Sequence, residues 1–241
     1  MDVQALYQLV DEAPGGNCLN FALRRALVDR VASGETKAAE WLVPLAGLAA
    51  IPALIEAGAP APALQAAIGK AIYSHYHELR SVERALFAAW CRTAAFRVPP
   101  NLPEMVNLYR GTMGVSPAVA ATGLHWAARF ESAALFACRF ADTDLTGCIV
   151  IHARVPRDEI VCFAPDSVHG EMIPARAPAV FDVITDKERI GGAALREAAR
   201  QQEIQAHFGP ALSFGLAEQV AMRTRARMTA AGVPRGAAIV A

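Results

Sequence analysis

Cysteine is scarce, and its spacing forms no known framework. The 241-residue chain holds 5 cysteines: Cys18, Cys91, Cys138, Cys148 and Cys162. An odd number with no C-x-x-C pair supplies neither a disulfide scaffold nor a zinc knuckle, so free thiols are expected. Net charge is missing too. Lys plus Arg number 23 and Asp plus Glu number 23, so no bulk field draws the protein to nucleic acid or an anionic membrane, and only a local patch stays open. Nor is there a long unbroken apolar run. The most apolar stretch, 41–55, lies between Glu40 and Glu56 and carries Pro44 and Pro52. It falls short of the roughly 20 residues a bilayer span needs, and reads as buried helix and turn. Residues 1–10 are mixed in polarity and lack a basic start, so no cleavable signal peptide is expected. The expected location is cytoplasmic, or secreted by a route without such a signal. A P-loop, a strand-linked G-x-G-x-x-G and H-E-x-x-H are all absent, which argues against Walker, Rossmann and zincin chemistry. His75 and His77 stand two apart and would point to different helix faces, and no set of four metal ligands can be named.

Apolar residues, by contrast, make up 54% of the chain, ample for a core. Residues 1–98 read as helices. In 18–32, Leu19, Leu23, Ala26, Leu27 and Val31 form one stripe, with Arg24, Arg25 and Asp29 elsewhere. Segments 36–48 and 62–75 follow, separated by the breaker at 57–62. Segment 81–96 starts with Ser81 as a cap and presents Leu86, Phe87 and Trp90. At 98–103, three prolines in a short run cannot continue a helix and mark the boundary. Beyond it, 106–110 is strand-like and 132–140 helical. Residues 148–155 alternate as a strand, with Ile149, Ile151, Ala153 and Val155 on one face and His152 and Arg154 on the other. Short strands are expected at 159–163, 170–173 and 180–184, and helices at 193–208, opened by Gly191-Gly192, and 216–231. The expected architecture is therefore α+β: a helical N-terminal segment over 1–98, then a mixed unit over 104–241 that ends in helices.

Three pieces in the second part stand in order. The first is Leu108-Tyr109-Arg110-Gly111-Thr112. The second is Gly123-Leu124-His125-Trp126, leading to Ala133-Ala134-Leu135-Phe136-Ala137. The third is His169-Gly170-Glu171-Met172-Ile173. Together, over residues 108–184, they resemble the Arg, Ser-Thr-Ser and Glu pattern of arginine-type ADP-ribosyltransferases, as in compact bacterial and phage members. The resemblance implies a small split β-sheet core and NAD as the substrate cleaved.

Each residue type suits the role the resemblance implies. Arg110 would hold an NAD phosphate or ribose, because a guanidinium stays charged and forks onto phosphate. Gly111 would let its backbone approach the nicotinamide carboxamide, with no Cβ in the way. Tyr109 and Trp126 would flank the cofactor, although an isolated Trp more often fills a core. Glu171 would be the catalytic anion, binding the ribose 2′-hydroxyl and stabilising the oxocarbenium-like sugar as nicotinamide leaves.

Three positions depart from the pattern. His125 stands where the first Ser is expected, and Ala127 where the Thr is expected. A His can also donate a hydrogen bond to a carboxylate, so His125 is a candidate catalytic partner of Glu171. His169 replaces the acceptor-engaging Glu or Gln two residues before Glu171; it is a candidate base on another nucleophile, or a plain loop residue. Arg223, Arg225 and Arg227 read as a solvated helix flank.

The implied activity is mono-ADP-ribosyl transfer from NAD to a macromolecular acceptor, a protein rather than nucleic acid, with a toxin or effector role and no membrane partner. NAD hydrolysis, and a catalytically silent scaffold that binds a protein, are the alternatives.

Overall fold

A computed structural model describes residues 1–13, 21–139, 145–164 and 170–208. Cys18, Leu19, the loop with His169, the helix expected at 216–231 and its three arginines lie outside the described residues. The chain divides into two compact units, Met1–Val98 and Pro99–Ala241.

The first unit is helical: α1 (Gln4–Glu12), α2 (Phe21–Ala32), α3 (Thr36–Ala46), α4 (Ala50–Glu56), α5 (Ala61–Ser74), α6 (Tyr76–Leu79) and α7 (Arg84–Thr93). On α2 the buried residues are Leu27, Val28 and Val31, whereas Leu23 is exposed, so the apolar stripe is shorter than the sequence suggests. Gly34 and Gly47 adopt positive φ and end α2 and α3. Thr36–Glu56 has a mean hydropathy of 1.7, apolar and long enough by composition to cross a membrane. The break at Gly47 divides it into α3, a 3-10 turn (Gly47–Ala49) and α4. Ser81 is not a helix cap. The chain turns at 80–82 and α7 starts after Glu83, with no side-chain cap.

The second unit is mixed, with one six-stranded antiparallel sheet ordered β4-β5-β2-β1-β3-β6. Its strands are β1 (Met105–Met113), β2 (Trp126–Ala127), β3 (Cys148–Pro156), β4 (Ile160–Ala164), β5 (Glu171–Pro174) and β6 (Asp182–Ile184). The α+β class follows directly. β1 and β3 pair along their whole lengths, from Met105↔Pro156 to Met113↔Cys148. β2 is only two residues long and meets β1 at one pair, Tyr109↔Ala127. The sheet therefore consists of two halves, β4-β5-β2 and β1-β3-β6, joined at a single point.

Three helices complete the described part of this unit: α8 (Pro117–Ala121), α9 (Phe130–Cys138) and α10 (Lys187–Phe208). Helix α9 lies on the sheet face that carries Tyr109 and Met113, and Ala133, Ala134, Ala137 and Cys138 form a core with Val150 and with Ile190, Ala193, Ala194 and Ala198 of α10. These small side chains let the helices approach closely. α10 starts earlier than the sequence suggests, its first turn held by Asp186 Oδ1 accepting from the Arg189 amide at 3.0 Å. Gly191 and Gly192 lie within it, both buried.

Candidate functional site

The site forms where the two half-sheets meet. Helix α8 is capped by Ser116 and stops at once: the Gly123 amide bonds Ala120 O at 3.1 Å. The chain then turns through 123–125 into β2. Two side chains hold this turn. The indole of Trp126 donates to Gly123 O at 3.1 Å. Arg110 Nη1 donates to His125 O at 2.6 Å. The guanidinium lies directly against Gly123, where a Cβ would stand 2.0 Å from Arg110 Cζ and 2.1 Å from Nη2. No other residue leaves that space free.

Glu171 enters from the far side. It is the first residue of β5, after Gly170 at φ 59°, and Gly170 O accepts from the Ala128 amide at 3.2 Å. Glu171 pairs with Ala127, which turns its carboxylate toward the residue two before it. His125 Nδ1 is 3.6 Å from Glu171 Oε1, the two side chains being 15% and 12% exposed. That is ion-pair range once the imidazole is protonated, and slightly beyond hydrogen-bond length. Arg110 Nε, His125 Nε2 and Glu171 Oε2 are all shielded from solvent. Arg110, His125 and Glu171, separate in sequence, thus meet around the entry to β2.

Three of the expected site residues have packing roles in this geometry. Trp126 is 1% exposed; its ring fills the core and its N–H staples the turn, so it offers no face to a cofactor. Gly111 is required for packing as well. A Cβ there would stand 1.7 Å from Ala133 O and 2.8 Å from the Ala137 amide nitrogen, so it is α9 that excludes a side chain. Tyr109 stacks on His152 (4.9 Å, 20°) and meets Phe130 edge-on (5.9 Å), a packing role on α9's face. Arg110 is one residue further along β1 and so points to the opposite face. Its contact with His125 is through the backbone, whereas Glu171 meets the ring.

Two further arrangements carry no local sequence signal. His152 is flanked by Asp182 Oδ2 at 3.4 Å and Asn107 Oδ1 at 3.1 Å, which fixes the ring that Tyr109 stacks on. Glu197 of α10 is fully buried. Its carboxylate accepts from Ser132 Oγ (3.0 Å), Arg200 Nε (2.8 Å) and Nη2 (2.6 Å), and Gln201 Nε2 (3.1 Å), with Arg129 Nη2 3.6 Å away. Burial pushes the Glu197 carboxyl up, but Arg200, with Gln201 and Ser132, outweighs it and holds the group below the usual carboxylate range. The cluster joins α10 to α9.

Comparison with protein-family models, with curated proteins and with solved structures finds no match for the chain. Among the described residues there is no group of three or more His, Cys, Asp or Glu placed to hold a metal ion.

Proposed function

We propose that this protein cleaves the nicotinamide–ribose bond of NAD and transfers ADP-ribose to a macromolecular acceptor. The observation that carries the reading is the convergence of Arg110, His125 and Glu171 on one point from three separate segments. The resemblance requires that these three residues meet. The two halves of the sheet, joined at Tyr109–Ala127, support the split core that the resemblance implies. Beyond that pair, β1 carries Arg110 and Gly111 along an edge with no paired strand on the β2 side among the described residues. A nicotinamide carboxamide would find backbone hydrogen-bonding groups there.

Glu171 supplies the fixed anion. As the C1′–N bond breaks, positive charge grows on the ribose, and a carboxylate sheltered from water stabilises it more than a solvated one does. Arg110 has a double role. Nη1 is engaged by the His125 carbonyl, so any contact with the diphosphate falls to the other donors of the guanidinium.

The test is nicotinamide release from NAD by the full chain, compared with Glu171→Gln and Arg110→Ala. Glu171→Gln is expected to lower the rate by about 10²–10⁴-fold. Equal rates in all three proteins would refute the assignment. Label from adenine-labelled NAD separates the two outcomes of cleavage: it reaches a macromolecule in transfer and stays in free ADP-ribose in hydrolysis.

A further inference from the structure

We infer that His152 is a proton-controlled staple on the strand β6, holding it tightly to the sheet when the imidazole is protonated and loosely when it is neutral. The inference is independent of the NAD-cleaving reading.

Strand β6 has little else to hold it. It is three residues long and last in the sheet order, and it meets β3 at three pairs, Val150↔Ile184, Ile151↔Val183 and His152↔Asp182. Asp182 and Val183 are exposed, and Ile184 is the residue of β6 that packs against the core. A short strand with so little burial opens at small free-energy cost, so even a weak tie governs how often it does so.

The tie is the last pair. Asp182 Oδ2 lies 3.4 Å from His152 Nδ1, and Asn107 Oδ1 of β1 lies 3.1 Å from Nε2. Both ring nitrogens thus face an oxygen. A neutral imidazole has one N–H and donates to only one of them, whereas the imidazolium donates to both. Tyr109 covers the ring face at 4.9 Å and 20°, and a positively charged ring is attracted to an aromatic face. The side chain is 22% exposed, so it exchanges protons with solvent while its neighbours hold it in place.

The groups around the ring set the sign. From β6 comes the Asp182 carboxylate, from β1 the Tyr109 phenol, and along β3 the Arg154 guanidinium, which shares the face of His152 two residues on. Arg189 of α10 lies over the Phe130 ring, which in turn meets Tyr109 edge-on. Asp182 is the anion in this set, and it belongs to the strand that must leave if the edge opens. Protonation therefore ties the ring to the carboxylate of β6. Without the proton the ring keeps one N–H. It donates to Asp182 with no ionic attraction while Asn107 turns its amide to donate to Nε2, or it donates to Asn107 and gives up Asp182. The strand is held less tightly in both cases. An imidazole gains and loses this proton close to neutral pH, so β6 is gripped in mild acid and eased in mild alkali.

The experiment is amide hydrogen exchange on the full chain, read at β6 and at the β3 residues facing it. It is run at about pH 5.5 and about pH 8, on either side of the imidazole range, with each value corrected for the chemical exchange rate at that pH. Asp182 is 84% exposed, so water screens the tie, and protection is expected to fall about two- to five-fold from the lower pH to the higher. Asp182→Asn keeps the shape at an exposed position and removes the charge; it is expected to lose this fall at β6, and His152→Gln is expected to do the same. Groups that titrate elsewhere act equally on wild type and variants and cancel in the comparison. No fall in wild type, or a fall of the same size in Asp182→Asn, overturns the inference.

Discussion

A single methyl group at Gly123 should disable Arg110 without replacing it. The added carbon would stand 2.0 Å from Arg110 Cζ, 2.1 Å from Nη2 and 2.3 Å from Nε, far inside van der Waals contact. Gly123 does not need a left-handed backbone, so alanine introduces no strain of its own, and the guanidinium is the group that moves. What is lost is the 2.6 Å hydrogen bond to His125 O. A bond from a charged donor contributes about 1.5–3 kcal/mol. Gly123→Ala should therefore destabilise the second unit by about that amount, read as faster amide hydrogen exchange in β1 and β3. If the turn also fixes the catalytic geometry, kcat/KM for nicotinamide release should fall by up to roughly 10–150-fold. The decisive measurement is a double-mutant cycle. In an Arg110→Ala background the clash has no partner, and the further cost of Gly123→Ala should drop to within about 0.5 kcal/mol of zero. Full additivity of the two costs would refute the reasoning, since Gly123 would then matter for something other than the guanidinium.

Two other substitutions test the frame around the site. Glu197→Ala leaves Arg200 and Ser132 facing an empty, buried position, and should cost about 3–5 kcal/mol. Because the folded state holds this carboxyl below its ordinary range, its stabilisation is complete above the unfolded value near 4.3 and is lost as pH falls through the lower folded value. The difference between wild type and Glu197→Ala in thermal melts should therefore be constant at neutral pH and shrink below about pH 4; a difference that persists unchanged in acid would contradict this. Gly111→Ala drives a Cβ to 1.7 Å from Ala133 O, a backbone atom that only a shift of α9 can relieve. About 3 kcal/mol or more should be lost, visible as a lower melting temperature, and an unchanged melting temperature would show that α9 does not sit where described.

What the sequence makes legible is local. The proline run at 98–103 forbids a helix by its own chemistry, and the alternation of Ile149, Ile151, Ala153 and Val155 against His152 and Arg154 marks β3, although Cys148 and Val150 on the second face are buried as well. The errors share a cause: tertiary context outweighed a local signal. Ser81 is a favoured cap residue, but the chain turns at 80–82, just after the buried Leu79, and α7 starts only after Glu83. Gly191-Gly192 looks like a helix boundary; within α10 both are buried, and the long alanine-rich contact with α9 offsets the roughly 1 kcal/mol each glycine costs a helix. Glu197 and Ser132 lie 65 positions apart, and no periodicity relates them. For Tyr109 and Trp126 the sequence shows an aromatic ring but not its neighbours: whether a ring fills a core or faces a ligand depends on what the fold packs against it.

The candidate site was legible as an ordered set of residue types, but its internal logic was not, and Arg110 shows why. A strand of two residues, β2 has little of its own to fix its register. A slip of one residue would send Ala127 to the opposite face and break its pairing with Glu171. The Arg110–His125 hydrogen bond holds the chain just before β2 against β1, and Gly123 makes room for it. On this argument Arg110 is coupled to Glu171 through the register of an intervening strand. It follows that Arg110→Lys, which keeps the charge but loses the planar fork, should impair the site almost as much as Arg110→Ala, whereas a residue that served only as a counter-charge would tolerate it.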